Sequence, residues 1–290
     1  MSAELERYIS HGHHTVDGWL SDVAIELIVL LAHVQQHELS IHGPVCEIGV
    51  HHGRFLILLA LLQARDAKVG AWDLFSQQDQ NVDLSGSGDR ALFEKNVARH
   101  IGPLDERYLI QEVNSLELTA ERVCEQLDGR PVLFSIDGGH TKSVVLHDLE
   151  VACHSVASGG IVILDDYMHP VWPEVTEALH TYLPKDDSVL PICSGGGKLF
   201  LVKDPQVHFR ERLVAAVLRH YGFNREQYER QHSSQPDRHC RVMELFGHDI
   251  VMLFTSQQIG VVERPEPRER WNPLGSLRSL AKGVRDSLFH

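Results

Sequence analysis

Two short segments, 132–136 and 161–164, are apolar except for one serine, and each is followed at once by acidic residues. These residues are Asp137, Asp165 and Asp166. Apolar runs of this length are typical of strands buried on both faces of a parallel sheet, and ligands of such sheets bind beyond the carboxyl ends of the strands. We therefore expect the three carboxylates to converge on one edge of a sheet, together with His140, which follows the first segment.

The convergence of three carboxylates raises an electrostatic problem, because like charges at one edge repel one another. A hard divalent cation with oxygen ligands would relieve this repulsion, and we predict that Asp137, Asp165 and Asp166 bind such an ion. The simpler alternative is that each carboxylate caps a helix or ends a strand, since negative charge is favoured at a helix N-terminus. We prefer the metal site because the acidic pattern recurs on neighbouring strands of the same edge.

The segment 47–53, with the sequence EIGVHHG, follows a predicted strand and opens a predicted helix. Its two glycines allow the backbone to approach a ligand closely. The ExGxxxG spacing differs from the GxGxxG fingerprint of dinucleotide sites, and Glu47 places negative charge where a pyrophosphate would lie, so we expect a ligand that carries a cation. Asp73, at the end of the next predicted strand, is placed to accept hydrogen bonds from a ribose diol.

The composition of the 290-residue chain excludes several classes of function. A formal net charge of −13 argues against a nucleic-acid partner, because phosphate backbones require basic patches. The five cysteines form no CxxC pair, which favours a reducing cytosol over a disulfide framework or a zinc site. The first residues show no signal segment, and the apolar run 23–34 is too short to cross a bilayer. We expect a cytoplasmic protein without a membrane partner.

Segments typical of strands and helices alternate along residues 41–203, and this order predicts an α/β fold. Apolar residues recur at helical spacing over 141–156, between the two acidic strand ends, which gives a right-handed strand–helix–strand unit. Two further strands, 188–193 and 198–202, are joined by a short glycine-rich link and must be antiparallel. We predict a three-layer α/β/α Rossmann-like sandwich of about seven strands, mostly parallel, with a terminal antiparallel hairpin.

The remaining parts of the chain are predicted to surround this core. Residues 1–40 form an N-terminal arm and helix, 41–203 the core, and 204–290 an extension with a helix and a second hairpin. The polar segment 75–89 is predicted to be a lid over the site, with a plain surface insertion as the alternative. The basic amphipathic segment 275–288 is predicted to dock on the body or on a second subunit, so we expect a homo-oligomer.

The stretches IDGGHT (136–141) and GGIVILDDY (159–167), together with the glycine segment 47–53 and Asp73, resemble class I S-adenosylmethionine-dependent methyltransferases. Within that class the chain is similar, over about residues 15–203, to the metal-dependent macrocin and mycinamicin sugar O-methyltransferases. The resemblance implies S-adenosyl-L-methionine and Mg²⁺, or another divalent cation, as cofactors. It also implies a small-molecule hydroxyl acceptor, with the sugar of a natural-product glycoside as the first choice.

The resemblance also implies a role for each candidate residue. The segment 47–53 would wrap the methionine part of the cofactor, Asp73 would hold its ribose, and Asn114 and Ser115 would lie near the adenine. The cofactor-binding prediction comprises Glu47, Gly49, His51, Gly53, Arg54, Asp73, Asn114, Ser115 and Asp137. The metal ligands would be Asp137, Asp165 and Asp166. His140 would be the general base, with Asp137 as its catalytic neighbour. The family's glycine turn usually carries small or polar middle residues, whereas this chain has two histidines there.

Two other interpretations remain open. In the first, the acceptor is a catechol-like phenol, since a 1,2-diol on a catechol chelates a metal ion as well as one on a sugar does. In the second, the chain is a ligand-binding scaffold or a non-methylating relative on the same fold, such as a hydroxylase. Because all of these share one sheet, cofactor binding and metal dependence separate them, and the fold does not.

Overall fold

The computed structural model describes residues 1–204, 208–221 and 240–253. The strands are β1 (Val45–Ile48), β2 (Val69–Asp73), β3 (Tyr108–Glu112), β4 (Leu133–Ile136), β5 (Ile161–Leu164), β6 (Val189–Gly195), β7 (Lys198–Lys203), β8 (Cys240–Leu245) and β9 (His248–Leu253). The helices are α1 (Ala3–Ser10), α2 (Asp22–His37), α3 (Arg54–Leu62), α4 (Arg90–His100), α5 (Ala120–Gln126), α6 (Lys142–Ser155), α7 (Pro173–Tyr182) and α8 (Phe209–His220).

These strands form one sheet in the order β3-β2-β1-β4-β5-β7-β6-β9-β8. The first five strands are parallel, whereas β7 runs antiparallel to both β5 and β6. This arrangement confirms the predicted α/β fold with a mostly parallel sheet and an antiparallel hairpin. The described residues contain nine strands instead of about seven, because the β8–β9 hairpin joins the same sheet by parallel pairing of β9 with β6.

The centre of the sheet is buried on both faces, which explains why β1, β4 and β5 are apolar apart from Glu47 in β1 and Ser135 in β4. Successive residues of β1 face opposite sides: Val45 packs in the core formed with α2 and α3, whereas Cys46 and Ile48 pack in the core formed with α5, α6 and α7. Each large apolar side chain buried in these cores stabilises the fold by about 1.5–3 kcal/mol. Two apolar cores on either side of one sheet give the predicted three layers.

Polar side chains fix where several helices begin. Ser21 accepts a hydrogen bond from the backbone N–H of Ala24 at 3.2 Å, so α2 begins at Asp22. Trp19 and Leu20 have the same helical spacing as the apolar residues of α2, but they lie before the helix. Asp89 accepts from the N–H of Leu92 at 2.9 Å and starts α4 in the same way. The two caps fix where the preceding loops end. These loops, which contain residues 18–21 and 78–88, border the cavity described below.

The register of the parallel strands brings their carboxyl ends to one level. Ile48 of β1 is paired with Ile136 of β4, and Ile136 is paired with Leu164 of β5. The residues that follow these three positions therefore lie at one edge of the sheet, as expected for the acidic residues. The predicted division into 1–40, 41–203 and 204–290 stays a prediction, and the amphipathic segment 275–288 lies outside the described residues. Within the described part of the chain, no helix combines the length and the hydrophobicity needed to traverse a bilayer.

Candidate functional site

A cavity of about 850 Å³ opens beyond the carboxyl ends of β1, β2, β4 and β5. Its other walls come from the N-terminal segment 18–21, from residues 78–88 and from the turn between β6 and β7. Cavities of roughly 300–1,000 Å³ accommodate small-molecule ligands and cofactors. The position agrees with the rule that ligands of open α/β sheets bind at the carboxyl ends of the strands.

Most of the predicted site residues line this cavity. They are Gly49, His51, Arg54, Asp73, Asn114, Ser115, Asp137, His140, Asp165 and Asp166. The other two lie beneath its surface: Glu47 is buried in β1, and Gly53 precedes α3, with its Cα facing the ring of Phe93. The structure therefore brings the predicted cofactor residues and the acidic residues together around one cavity.

The glycine turn after β1 depends on the absence of a side chain at Gly49. This residue has a φ of 80°, and a Cβ placed on it would lie 1.9 Å from the carbonyl oxygen of Asp137. The turn is closed by a hydrogen bond of 2.8 Å from the backbone N–H of His51 to Oδ2 of Asp73. The backbone of β1 therefore passes directly against that of β4, which brings the cofactor segment next to the acidic edge.

Replacement of Gly49 with alanine is expected to lower the free energy of unfolding by about 3 kcal/mol or more, because a backbone clash adds to the cost of a left-handed residue. The matched control is Gly247→Ala, since Gly247 has a φ of 74° and a Cβ added to it would meet no atom of the described residues within 4 Å. Urea unfolding of both variants separates the cost of the backbone clash from the cost of a left-handed residue. Equal destabilisation by the two changes would show that the contact with Asp137 is unimportant.

Asp73 is held by backbone donors at the end of β2. Its Oδ1 accepts from the N–H of Phe75 at 2.7 Å, and its Oδ2 accepts from His51. Burial raises the pKa of Asp73, and these backbone hydrogen bonds oppose that rise. Gly88 packs so closely that a Cβ there would lie 2.7 Å from Oδ1. The carboxylate is thus fixed in position at the point where the polar segment meets the cavity.

Glu47 lies under the cavity and is 1% exposed. Its Oε1 accepts a hydrogen bond of 2.9 Å from the hydroxyl of Ser135 on β4. Burial raises the pKa of Glu47 to about 8, although the nearby Lys198 ammonium and the Ser135 hydroxyl oppose the rise. The side chain thus lies beneath the cavity and is not among the residues that line it.

The raised pKa of Glu47 gives stability a defined pH dependence. Between its unfolded value of about 4.5 and its folded value of about 8, the folded state holds a proton that the unfolded state has lost, so stability falls as pH rises. Glu47→Gln should therefore gain stability relative to the wild type across this range. Urea unfolding at several pH values measures the difference, with the exposed Glu117→Gln as control. A pH-independent difference would contradict the assignment.

Lys198, the first residue of β7, was not predicted from the sequence as part of the site. It is 1% exposed, its Nζ donates to Oδ2 of Asp165, and it lies 3.9 Å from Oδ2 of Asp137. Burial alone would lower the pKa of Lys198, but the charges of Asp165 and Asp137 outweigh burial and raise it. The positive charge that the converging carboxylates require is thus supplied in part by the chain itself.

His140 is held between two carboxylates. Its Nε2 is 2.8 Å from Oδ2 of Asp166, and its Nδ1 is 3.0 Å from Oδ2 of Asp83. Burial alone would lower the pKa of His140, but the hydrogen bonds and charges of Asp166 and Asp83 outweigh burial and raise it. The indole ring of Trp172 stacks on the imidazole at 4.4 Å between ring centroids. This arrangement stabilises an imidazolium, the form that a general base adopts after it has taken a proton.

The predicted lid segment supplies one of these carboxylates. Asp83 also accepts from the backbone N–H of His140 at 2.5 Å, and the Ser85 hydroxyl lies 3.0 Å from the same imidazole. Nearer its start, Gln80 accepts a hydrogen bond of 3.0 Å from the side chain of Asn114. Residues 75–89 therefore lie across the cavity and contact both the predicted base and a predicted cofactor residue. The sequence indicated the segment, but it contained no signal for Asp83 in particular.

A magnesium ion would need several oxygen donors that face one point. Asp137 and Asp166 each offer a carboxylate oxygen, and these oxygens and a ring nitrogen of His140 lie within 4.8 Å of one another. Asp165 differs, because its Oδ2 accepts from Lys198 and its Oδ1 accepts from the backbone N–H of Asp166 at 2.9 Å. Asp137 and Asp166 therefore fit a hard divalent cation, while Asp165, the third predicted ligand, shares its charge with the lysine.

Comparison with known proteins extends the geometric picture. Residues 46–167 match the family model of a methyltransferase domain. A search among curated proteins finds no match. The matched region begins in β1, includes the strand ends that line the cavity, and ends directly after the acidic pair that follows β5.

Solved structures of similar architecture include three methyltransferases. The O-methyltransferase NovP has a TM-score of 0.50 and 18% identity, over 62% of this chain and 80% of NovP. CalS11, a TDP-rhamnose 3'-O-methyltransferase of calicheamicin biosynthesis, has a TM-score of 0.46 and 21% identity, over 61% of this chain and 78% of its own. MycE of the mycinamycin pathway, in complex with Mg and SAH, has a TM-score of 0.49 and 15% identity, over 72% and 56% respectively.

At this level of identity, the likeness to NovP demonstrates a shared fold. The family match adds the class of domain, since it covers the glycine turn, Asp73 and the acidic edge in one continuous region. Residues 46–167 match the methyltransferase-domain family, and the chain shares the fold of the O-methyltransferase NovP.

Proposed function

We propose that the protein transfers the methyl group of S-adenosylmethionine to a hydroxyl oxygen of a small molecule, with a divalent cation at the acidic edge. A sugar hydroxyl of a natural-product glycoside is the first choice of acceptor. The observation that carries the proposal is a histidine fixed between two carboxylates beside the cofactor cavity. His140 contacts Asp83 and Asp166, and Asp137 lies next to it.

The cofactor would lie along the carboxyl ends of β1 and β2. The turn at Gly49 would receive the methionine part, where the nearby acidic residues favour a positively charged sulfonium. Asp73 would accept hydrogen bonds from the ribose, because each of its oxygens accepts one backbone N–H and has a second lone pair. Asn114 and Ser115 line the cavity beyond the next strand, where the adenine would lie.

The acceptor hydroxyl would approach from the acidic edge. Asp137 and Asp166 would hold the divalent cation, whose chemistry when bound is to polarise the acceptor hydroxyl and lower its pKa. His140 would take the hydroxyl proton at Nε2 once Asp166, which contacts Nε2 in this structure, turns to the cation, and the Asp83 carboxylate at Nδ1 would stabilise the resulting imidazolium. His140 would thus remove the proton of the acceptor hydroxyl as its oxygen becomes a nucleophile.

Methyl transfer itself would be a single in-line displacement. The new bond forms between the acceptor oxygen and the methyl carbon while the carbon–sulfur bond breaks, and the bonding electron pair returns to sulfur to leave S-adenosylhomocysteine. Most of the rate would come from alignment of oxygen, carbon and sulfur. Residues 75–89, held across the cavity by Asp83 and Gln80, would exclude water from this space.

A catechol-like phenol is the second candidate acceptor, because Trp172 offers an aromatic face directly beside His140. A planar phenol would stack on the indole ring, whereas a sugar would present its C–H face to the same ring. Both acceptors carry the neighbouring hydroxyls that chelate a cation. Rates with a set of glycosides and catechols, measured with and without a chelator, distinguish the two. Chelator-insensitive transfer would exclude the proposed cation.

Calorimetric titration with S-adenosylhomocysteine tests the cofactor site. We expect micromolar binding by the wild type, and Asp73→Ala should weaken it about 10-fold or more through loss of the ribose hydrogen bonds. Asp79→Ala is the matched control, since Asp79 is an exposed carboxylate of the same loop region. Unchanged affinity in a folded Asp73→Ala variant would show that Asp73 does not bind the ribose. Complete absence of binding by the folded wild type would favour the scaffold alternative.

A further inference from the structure

His13, in the short helical turn Gly12–Thr15, is buried although it lies in the N-terminal arm. It is 2% exposed, and its Nδ1 lies 3.0 Å from the backbone carbonyl oxygen of Tyr8. Its other ring nitrogen, Nε2, is also buried and has no hydrogen-bond partner among the described residues. A buried imidazole nitrogen of this kind requires an explanation, because an unsatisfied polar atom is costly inside a protein.

The contact with Tyr8 determines which nitrogen of His13 carries the proton. A carbonyl oxygen only accepts hydrogen bonds, so Nδ1 must donate, and Nε2 of the neutral ring then presents its lone pair. Nε2 lies 3.8 Å from Oδ1 of Asp22. A lone pair that faces a carboxylate is unfavourable unless a cation lies between them. Burial lowers the pKa of His13, and although Tyr8 and Asp22 oppose this, the net shift favours the neutral ring.

A third donor completes the group. The ring of His14 lies next to that of His13, with 3.8 Å between centroids and an angle of 39° between the ring planes. One ligand atom from each of His13, His14 and Asp22 lies within 4.8 Å of the others. His14 and Asp22 are exposed, so an ion can enter from solvent. Two imidazoles and one carboxylate form a donor set that suits Zn²⁺ and similar borderline ions, and it differs from the oxygen-rich edge of the cavity.

We propose that His13, His14 and Asp22 form a binding site for a divalent transition-metal ion of the zinc type, with solvent in the remaining coordination position. The Tyr8 carbonyl would orient His13 by accepting the proton of its other nitrogen, which is the usual outer-sphere arrangement of a metal-bound histidine. The ion would close a loop, because the ligands stand on both sides of residues 15–21.

This loop forms one wall of the cofactor cavity. Gly18, Trp19, Leu20 and Ser21 all line the cavity. The loop is otherwise held by Arg54, which donates to the carbonyl of Gly18, and by Ser21, whose hydroxyl donates to the carbonyl of Gly196 at 3.3 Å. An ion that joins the two ends of the loop would restrict this wall further. Binding of the ion should therefore strengthen cofactor binding without contact between the two.

Cobalt titration of the full, chelator-treated chain tests the site, because Co²⁺ in a mixed nitrogen and oxygen site absorbs visible light and Zn²⁺ displaces it. We expect one equivalent to bind tightly to this group in the wild type, and Asp166→Asn removes any Co²⁺ that binds at the acidic edge. Asp22→Asn and His14→Ala change exposed side chains, so the fold should persist. Each should weaken Co²⁺ binding by at least the roughly 10–100-fold that loss of an outer-sphere partner causes.

Asp17→Asn is the matched control, because Asp17 belongs to a second histidine-containing group with His51 and His52. Binding that is unchanged in Asp17→Asn and weakened in Asp22→Asn supports the proposal. Binding that is lost in Asp17→Asn but retained in Asp22→Asn overturns it, as does the absence of tight binding by the wild type. Because the equivalent that Asp22→Asn removes is distinct from the one that Asp166→Asn removes, the outcome is independent of the methyl-transfer proposal.

Discussion

Replacement of His140 with alanine is expected to lower kcat for methyl transfer by about 10²–10⁴-fold, the range typical of a general base. The reason is local: the imidazole is fixed by Asp83 and Asp166, and a methyl side chain can neither take the hydroxyl proton nor hold the positive charge. The affinity for S-adenosylhomocysteine should change little, because the cofactor is expected to lie along β1 and β2. Initial rates and calorimetric titration of the same preparation measure the two quantities separately.

His154→Ala is the matched control for this change, since His154 is an exposed histidine on α6, the helix that follows His140. Its kcat should remain close to that of the wild type. Asp166→Ala removes one of the partners of His140 and a proposed cation ligand, so it should also lower kcat strongly. Near-normal turnover in both His140→Ala and Asp166→Ala would exclude the proposed mechanism.

Replacement of Lys198 with methionine is expected to lower the free energy of unfolding by about 3–5 kcal/mol, the usual result of removing one partner of a buried ion pair. The methionine fills a similar volume, but Asp165 loses the ammonium group that donates to it. Asp137 and Glu47 also lie close to the Lys198 ammonium group, and without that group they would lie near Asp165 with no positive charge between them. Urea unfolding measures the loss.

The double variant Lys198→Met/Asp165→Asn identifies the cause. If the loss arises from an uncompensated carboxylate, neutralising Asp165 should recover a large part of it. Lys185→Met serves as the control, because Lys185 is exposed and lies between α7 and the hairpin that carries Lys198. Strictly additive effects of the two substitutions would show that the lysine stabilises the fold through packing, for example against the ring of Phe55, and not through Asp165.

The parallel part of the sheet was predictable because each of its strands combines a short apolar run with a polar end. That pattern follows directly from burial on both faces and does not depend on distant residues. The number of strands was not predictable in the same way. The second hairpin was recognised, but its attachment depends on two residue pairs, Cys193 with Val251 and Ser194 with Met252, which are distant in sequence. Local periodicity contains no information about such pairing.

The position of the predicted cofactor and acidic residues around one cavity was predictable because they lie at the ends of strands, and the strand order brings these ends to one edge of the sheet. Asp83 and Trp172 were not, since they reach His140 from a loop and from the residue that precedes α7. Loop residues are placed by tertiary contacts, and the polar composition of 75–89 identified a loop without identifying which carboxylate faces the base. The role of each residue in catalysis stays a proposal.

Lys198 illustrates a different limit. Converging carboxylates were expected to need a positive charge, and from the sequence that charge was assigned wholly to a metal ion. A lysine at the start of an apolar strand is usually solvated at the strand end. Here the antiparallel pairing of β7 with β5 places it next to Asp165, at 1% exposure. The need for positive charge follows from the carboxylates alone, whereas the identity of the cation depends on which strand lies beside β5.

This position of Lys198 also bears on the order in which the protein folds. The chain produces β1, β4 and β5 before β7, so the carboxylates of the edge can assemble while their ammonium partner is still separated from them along the chain. The parallel strands and the hairpin are then coupled by charge as well as by hydrogen bonds, because docking of β7 relieves repulsion at the strand ends that precede it. In the folded protein, the strand that completes the centre of the sheet is therefore also the one that brings a positive charge to the acidic edge.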